Sequence, residues 1–391
     1  MSRIAVVVHA VYPGDTRVRR QADALIGAGH EVDVFCLRRP GEPARSERPG
    51  ERTIRLPLDR TFTGFAGHMA EYLAFAGMAA VQLAMHHRRR RYELVQVAGP
   101  PDFLAFAAMP LRLAGVPLLL DLHEDMPEFF RDRFTHPLLR PLLPLVGAVA
   151  RGSAAVADAL ITVHEPLRQL SLERGVPDEK IAVVMNSADA RLFDPGHHPR
   201  RRFMEDGTLR LIHHSNLQRL YGLDIAVEAV ARIGADLPLR LEVYGEGPFR
   251  EEVERTIQRT GTADRVTLHG WAQLEEIPGL LAAADIGLVP SRDEPYLRYS
   301  LSQKLLEFAA MGVPSVASDL ETFRAHFTAG AVRYVPGGQA DALASAISEL
   351  ASDPQRTAAM GQEARRQAAA YAWPVQAERY LAVVNRLTTR R

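Results

Sequence analysis

The stretch that decides the fold is Ser300–Asp319, SLSQKLLEFAAMGVPSVASD. It opens as a helix, because Leu301, Leu305, Phe308 and Ala309 recur on one face. Gly312 after the last periodic residue, and Pro314 two positions on, end that helix. Ser315–Ala317 then reads as a short buried strand. Two charges, Lys304 and Glu307, lie within the apolar helix three residues apart and so share a face. A carboxylate flanked by Leu306 and Phe308 needs partners if it is buried. Vicinal sugar hydroxyls would serve, and the helix N-terminus just before it suits phosphate. Ser302 and Lys304 facing a diphosphate, with Glu307 facing a ribose, describe a nucleotide site. The same charges also read as a solvated Glu–Lys helix edge, and the stretch alone leaves both readings open.

Outward from this helix–strand pair, strands and helices alternate along the whole chain, the pattern of doubly wound parallel sheets. Upstream, Ile4–Val8, Val32–Leu37, Leu94–Val97, Leu118–Leu122, Leu160–Val163 and Ile181–Val184 read as buried strands with helices between. Residues 38–52, rich in Pro, Gly and charge, read as a loop. Phe65, Met69, Tyr72, Leu73, Ala76 and Leu83 mark one face of a long amphipathic helix that runs into His86-His87-Arg88-Arg89-Arg90-Arg91. Asn186–Gly207, with Pro195, Gly196, two histidines and an arginine run, interrupts the pattern and is the best linker candidate. A second series follows, with strands at Leu209–His213, Leu239–Tyr244, Val266–Leu268 and Ile286–Pro290 leading to the opening stretch. Two sheets of similar size joined by one linker imply a ligand cleft between them.

Composition narrows the classes. At 391 residues two or three domains are expected. Lys plus Arg and Asp plus Glu balance at 47 each, so no global field favours nucleic acid. A single cysteine, Cys36, excludes an intramolecular disulfide framework and fits a reducing compartment. The apolar start Arg3–His9 runs directly into Tyr12-Pro13-Gly14-Asp15 and reads as a strand rather than a signal peptide. No run approaches 18 uninterrupted apolar residues, so no membrane span is expected. The expectation is a soluble, cytoplasmic α/β protein.

Three loops of the second half should gather at the carboxyl ends of its strands. They are Ser215–Gly222, which contains Asn216 and Arg219; Gly245-Glu246-Gly247-Pro248; and Ser291–Leu301. The glycines permit close approach of a ligand to backbone, and Arg219 suits phosphate. Taken alone, Gly-Glu-Gly-Pro is a weak signal, more often just a tight turn. The conjunction with Lys304 and Glu307 is the stronger signal. In the first half His123 stands just past a strand, beside Glu124 and Asp125. It reads as a catalytic, a structural or a metal-binding histidine, the last disfavoured because no second histidine lies at helical spacing.

These residues resemble the retaining glycosyltransferases of family 4. The resemblance rests on Tyr221-Gly-Leu-Asp224, Gly245-Glu-Gly-Pro248, Ala284-Asp-Ile-Gly-Leu-Val-Pro-Ser291 and Lys304-Leu-Leu-Glu-Phe-Ala-Ala-Met-Gly-Val-Pro314. Arg17-Val-Arg-Arg20, Gly29-His-Glu-Val32, Pro101-Asp-Phe103 and Asp121-Leu-His-Glu-Asp-Met-Pro127 carry it through the first half. It implies the GT-B architecture, two facing Rossmann-like domains with an interdomain cleft. The implied organisation is an acceptor-side domain over 1–188, a linker over 189–208, a nucleotide-sugar domain over 209–372, and a helix over 373–391 returning to the first domain. Trp373 resembles the residue before that returning helix.

By resemblance, Glu307 holds the donor ribose as the second of a paired-glutamate motif. The partner glutamate belongs eight positions earlier, where this chain has Tyr299, with Asp293 or Glu294 as candidate replacements. Many relatives carry a basic residue immediately before Gly222, where this chain has Tyr221; Arg219 is the substitute phosphate contact and Lys304 the second cation. Asn216, Gly245, Gly247, Pro248 and Ser302 complete the implied donor site. His123 resembles the acceptor-side histidine, with Gly14, Asp15 and Glu124 around it. No Asp-x-Asp pair is present to hold a metal on a diphosphate, so the reading is a metal-independent transfer without a resident cofactor. Its substrates would be a UDP- or GDP-sugar and a hydroxyl acceptor, in surface-glycan or exopolysaccharide synthesis. A soluble metabolite acceptor, or a nucleotide-sugar epimerase or hydrolase, is the alternative. The long helix and its arginines add one expectation, peripheral contact with an anionic membrane near a lipid-linked acceptor, against a plain core-helix reading.

Overall fold

Ile4–Val8 is a short run of apolar and β-branched residues with no polar alternation, which suits a strand buried on both faces. The computed structural model describes residues 1–58, 64–134 and 136–389. They divide into two compact units, Met1–Met185 with Pro374–Arg391, and Asn186–Trp373.

The first unit begins with β1 (Arg3–Val11), α1 (Thr16–Gly27), β2 (Glu31–Leu37), β3 (Arg45–Arg48), β4 (Glu51–Leu56) and α2 (Gly64–Arg90). Next come β5 (Leu94–Ala98), α3 (Met109–Leu113), β6 (Leu118–Leu122), α4 (Met126–Arg133), α5 (Leu143–Val156), β7 (Ala159–Thr162), α6 (Glu165–Glu173) and β8 (Ile181–Val183). The strands form one sheet in the order β3-β4-β2-β1-β5-β6-β7-β8, parallel except for the β3–β4 hairpin. Residues 38–52 are thus not all loop. Their charged residues made an edge hairpin look like a turn, yet charge is what keeps an exposed edge from pairing with other chains. Glu47 and Arg52 pair across it at 3.2 Å.

The face expected for α2 is also corrected. Glu71, Phe75, Ala79 and Leu83 are its buried residues, while Leu73 is 58 % exposed. This helix is apolar nearly all round, so hydrophobic spacing alone does not choose the side that packs. A carboxylate, Glu71, lies on the buried side because His9 Nε2 stands 3.1 Å from it.

The second unit contains β9 (Leu209–His214), α7 (Leu223–Arg232), β10 (Leu239–Tyr244), α8 (Arg250–Thr260), β11 (Val266–Leu268), α9 (Ile277–Ala282) and β12 (Ile286–Val289). It continues with α10 (Gln303–Ala310), β13 (Ser315–Ser318), α11 (Glu321–Arg324), β14 (Arg333–Val335), α12 (Ala340–Ser352) and α13 (Pro354–Ala368). The final helix α14 (Trp373–Thr388) lies, from Pro374, in the first unit. The second sheet is parallel throughout, in the order β11-β10-β9-β12-β13-β14. β14, three residues long, was not read from the sequence. Residues 189–208 lie in this unit, where Phe193 is 4 % exposed within its core. Gly287 of β12 leaves room for α10: an added Cβ would come within 2.7 Å of the fully buried Phe308 ring. That seat fixes the helix carrying Lys304 and Glu307 on the sheet.

Candidate active site

Strands of a parallel sheet all end on one side, and ligands settle where the strand order reverses. In the second sheet that point lies between β9 and β12, since β10 follows outward from one and β13 from the other. A cavity of about 170 Å³ opens among the loops beyond these strands. His214, Ser215, Tyr244, Gly245, Trp271 and Glu307 line it, with Ala272, Leu274 and Ile277.

The three expected loops meet here. Leu217 N donates to the Glu246 carbonyl at 2.8 Å, and Phe249 N to the Leu217 carbonyl at 3.1 Å. Gly245 adopts φ +143°, and a Cβ on it would lie 1.8 Å from the Ser215 carbonyl oxygen. The close approach that this glycine permits is therefore to the neighbouring loop. Gly247 is similar, packing on Asn216 and Leu217. The third loop joins through Arg292, whose N donates to the Leu220 carbonyl at 2.9 Å and whose guanidinium pairs with Asp224.

α10 brings Lys304 and Glu307 to this junction, both buried at 8 % and 6 % exposure. The solvated-edge reading of these charges is thus excluded. Glu307 Oε2 lies 3.3 Å from His214 Nε2. Burial, and then the Lys304 charge, lower His214 to about 3, so at neutral pH this is a neutral imidazole against a carboxylate and not an ion pair. His213 is likewise held neutral by burial; its Nδ1 lies 3.0 Å from the Leu288 carbonyl and its Nε2 2.9 Å from Ser215 Oγ. A carbonyl only accepts, so Nδ1 donates and Ser215 is the donor to Nε2. Burial also lowers Lys304 to about 8, opposed by Glu307. Its ammonium lies 4.3 Å from the centroid of the Tyr221 ring. Ser302 caps α10 by position only: its side chain makes no cap bond, and its buried hydroxyl has no partner among the described residues.

The remaining donor-side candidates are placed less centrally. Arg219 is exposed and pairs with Glu294, while Asp293 faces Arg298 at 3.7 Å. Neither acidic residue lines the cavity. Tyr299 closes the 3-10 turn Pro295–Tyr299, and Pro248 lies between the Gly247 turn and α8. Sequence reasoning missed His214, Tyr244, Trp271 and Leu274. The signal available was Gly270-Trp271, a large apolar residue just past a strand end; Trp271 is 62 % exposed.

In the first unit, β1 stands between β2 and β5, so its carboxyl end is the corresponding reversal point. Gly14 and Asp15 follow it. Asp15 caps α1, accepting from Arg17 N and Val18 N, and pairs with Arg17 at 2.7 Å. His123, two strands away at the end of β6, is buried, with Nε2 2.9 Å from Asp121 Oδ2. Neither of its ring nitrogens makes a hydrogen bond among the described residues, the approach of Nε2 to Asp121 being a distance alone. Glu124 is partly buried beside it; against burial, the Asp15 bond and charge raise the Arg17 guanidinium, with smaller contributions from Asp121 and Glu124. Asp102, from the Pro101-Asp-Phe103 motif, is raised to about 8 by burial and then by Asp125 and Glu124. Among the described residues no group of three or more His, Cys, Asp or Glu side chains is arranged to hold a metal ion, and no helix is long and apolar enough to cross a membrane.

Residues 14–187 match the model of the glycosyl transferase 4-like domain, and residues 208–353 that of glycosyl transferases group 1. A 2-deoxystreptamine glucosyltransferase of Streptomyces kanamyceticus is 27 % identical over 378 residues, covering 90 % of this chain and 88 % of that one. An MMP alpha-(1->4)-mannosyltransferase of Mycolicibacterium hassiacum is 24 % identical, covering 95 % and 94 %. Among solved structures, the sucrose-phosphate synthase of Thermosynechococcus elongatus matches with a TM-score of 0.79 at 21 % identity over the whole of both chains. Anabaena Alr3699/HepE in complex with UDP and glucose matches with a TM-score of 0.73 at 17 % identity, over 99 % and 100 %. With both domain models matched in order and this fold, the chain belongs to the family 4 glycosyltransferases of the GT-B class.

Proposed function

We propose that the enzyme moves a sugar, with retention of anomeric configuration, from a nucleoside diphosphate donor to a hydroxyl of a polyhydroxylated acceptor. The observation that carries this reading is the buried Glu307 carboxylate against neutral His214 in the cavity beneath the Gly245 loop. A carboxylate beside a neutral imidazole offers two acceptor oxygens to the two hydroxyls of a ribose. Trp271 and Tyr244 offer aromatic surface to the base. Lys304, Ser302 and the start of α10 offer a cation, a hydroxyl and backbone N–H groups to the phosphates. These groups stabilise charge that develops on the leaving diphosphate, which needs no resident cofactor. The structural relative solved with UDP and glucose supports a UDP-sugar as the first donor to try. His123, at the end of β6 beside Asp121, acts on the acceptor side. The test is NMR of UDP- and GDP-sugars incubated with and without polyol acceptors. Acceptor-dependent loss of donor with an unchanged anomeric configuration supports the reading; acceptor-independent hydrolysis, or epimerised donor, contradicts it.

A lipid-linked surface-glycan acceptor is the second reading, favoured by one feature of the first unit. Helices α2, α3 and α5 share a single core on their inner sides. Their outer sides, with the adjacent 3-10 turn Pro137–Leu142, leave Leu73, Val81, Leu113, Leu138 and Leu145 between 58 % and 81 % exposed. Arg88 and Arg89, exposed in the last turn of α2, supply cations; Arg90 is engaged with Glu31 at 2.9 Å and is unavailable. Such a surface fits an anionic bilayer. Wild-type protein should sediment with phosphatidylglycerol vesicles at low salt, and Leu138→Ser/Leu145→Ser with Arg88→Gln/Arg89→Gln should not. No sedimentation of the wild type favours a soluble acceptor instead, of the kind named in the 2-deoxystreptamine glucosyltransferase of Streptomyces kanamyceticus.

A further inference from the structure

We propose that Tyr380, on the last helix of the chain, is a positioning residue for His123, acting through a buried one-way chain of hydrogen bonds. The chain lies wholly within the first unit. Tyr380 Oη donates to Gln96 Oε1 at 2.5 Å, Gln96 Nε2 donates to Gln21 Oε1 at 2.7 Å, and Gln21 Nε2 donates to Asp121 Oδ2 at 2.8 Å. The same Oδ2 lies 2.9 Å from His123 Nε2. Tyr380 and Gln96 are 0 % exposed, Asp121 1 % and Gln21 4 %, so water cannot substitute for a missing link.

The direction of every bond follows from its end. Asp121 Oδ2 accepts, so Gln21 presents its amide N–H₂ to it. Its carbonyl then faces Gln96, which presents N–H₂ in turn, and the carbonyl of Gln96 is left for a hydroxyl that donates. Tyr380 is that hydroxyl. Burial, and then the Asp121 charge, hold its pKa well above the ordinary value, so it keeps the proton it donates. Each donor polarises the next toward the carboxylate. The Asp121 oxygen is thereby held 2.9 Å from His123 Nε2. Neither ring nitrogen makes a hydrogen bond among the described residues, and on this proposal it is the approach to Asp121 that places the proton on Nε2 and leaves Nδ1 as the acceptor. The same helix is pinned three strands from Gln96, just past β8, where Met185 N donates to Gln376 Oε1 at 2.9 Å. Its register is therefore set independently of Tyr380. Asp15, Arg17 and Glu124 surround the carboxylate and imidazole, and none of them takes the place of Gln21 on Oδ2.

This inference rests on the acceptor-side role given to His123 above, and two measurements separate them. The first reads geometry alone: ¹⁵N NMR of full-length, histidine-labelled protein, with the His123 signals identified by their loss in His123→Gln. In the wild type His123 shows one tautomer, protonated at Nε2. In Tyr380→Phe, which keeps the ring and its packing, the signals move toward a tautomer mixture. Wild-type signals in Tyr380→Phe overturn the proposal. Should that variant fail to fold, Gln21→Leu interrupts the chain one link from Asp121 and is read in the same way. The second is release of UDP from UDP-glucose in a double-mutant cycle. Tyr380→Phe should lower kcat by about three- to tenfold with KM little changed, and should cost nothing further in a His123→Ala background. An equal loss in both backgrounds overturns the relay and leaves the role of His123 standing. Full turnover in His123→Ala overturns that role, and the NMR result still decides the relay.

Discussion

At the scale of one residue, the proposed phosphate contact of Lys304 makes binding depend on pH. Its burial on α10 lowers the ammonium to about 8, and only Glu307 acts in the opposite direction. The charged form is the one that attracts a diphosphate, and it predominates below that pH. Nucleotide affinity should therefore be full near pH 7 and fall as pH rises through about 8. One proton is involved, so the loss approaches about tenfold per pH unit, or 1.36 kcal/mol. Calorimetric titrations with UDP from pH 6.5 to 9.5 measure it, and Lys304→Met should flatten the curve while lowering affinity throughout. A wild-type affinity that is level across this range removes Lys304 from the phosphate site. Gly245 carries a different kind of constraint. A Cβ there meets the Ser215 carbonyl at 1.8 Å in a backbone conformation that other residues rarely adopt. Gly245→Ala should cost about 1–3 kcal/mol by overpacking, seen as a lower Tm, and should weaken nucleotide binding because the loop moves. An unchanged Tm would mean that the two loops separate easily.

Elements differ in how much of their placement the sequence records. α10 was legible because Gly312 and Pro314 end it and one apolar face defines its packing; the structure places it at Gln303–Ala310. Most strands of both sheets were legible as short apolar runs, but β4, whose residues mix charge with apolar side chains, and the three-residue β14 were not. β3 was not, because an edge strand carries charges that also suit a loop. α2 was legible as a helix but not in its orientation, since apolar residues surround it and Glu71 lies on the packed side. Spacing along the chain also cannot reveal His214 as the neighbour of Glu307, a contact across 93 positions that exists only once α10 seats on β12. Lys304 and Glu307 were visible as charges in an apolar helix. Trp271 was overlooked because the loop it begins has no glycine-rich or charged signature.

At the scale of the molecule, the proposed function gives the two units different tasks. On that proposal the second unit would hold the donor nucleotide at the reversal point of its sheet, and the first would present His123 to the acceptor. α14 follows the second unit in sequence but packs in the first, where Tyr380 and Gln376 anchor it. A change in the donor site should therefore alter nucleotide binding without unfolding the first unit. The most direct test of the central claim is calorimetry of wild type and Glu307→Ala with whichever of UDP and GDP binds more tightly. Hydrogen bonds to a charged group contribute roughly 1.5–3 kcal/mol, so the account predicts affinity about ten- to a hundredfold weaker in a variant that remains folded by circular dichroism. Equal affinity in the two proteins would contradict it.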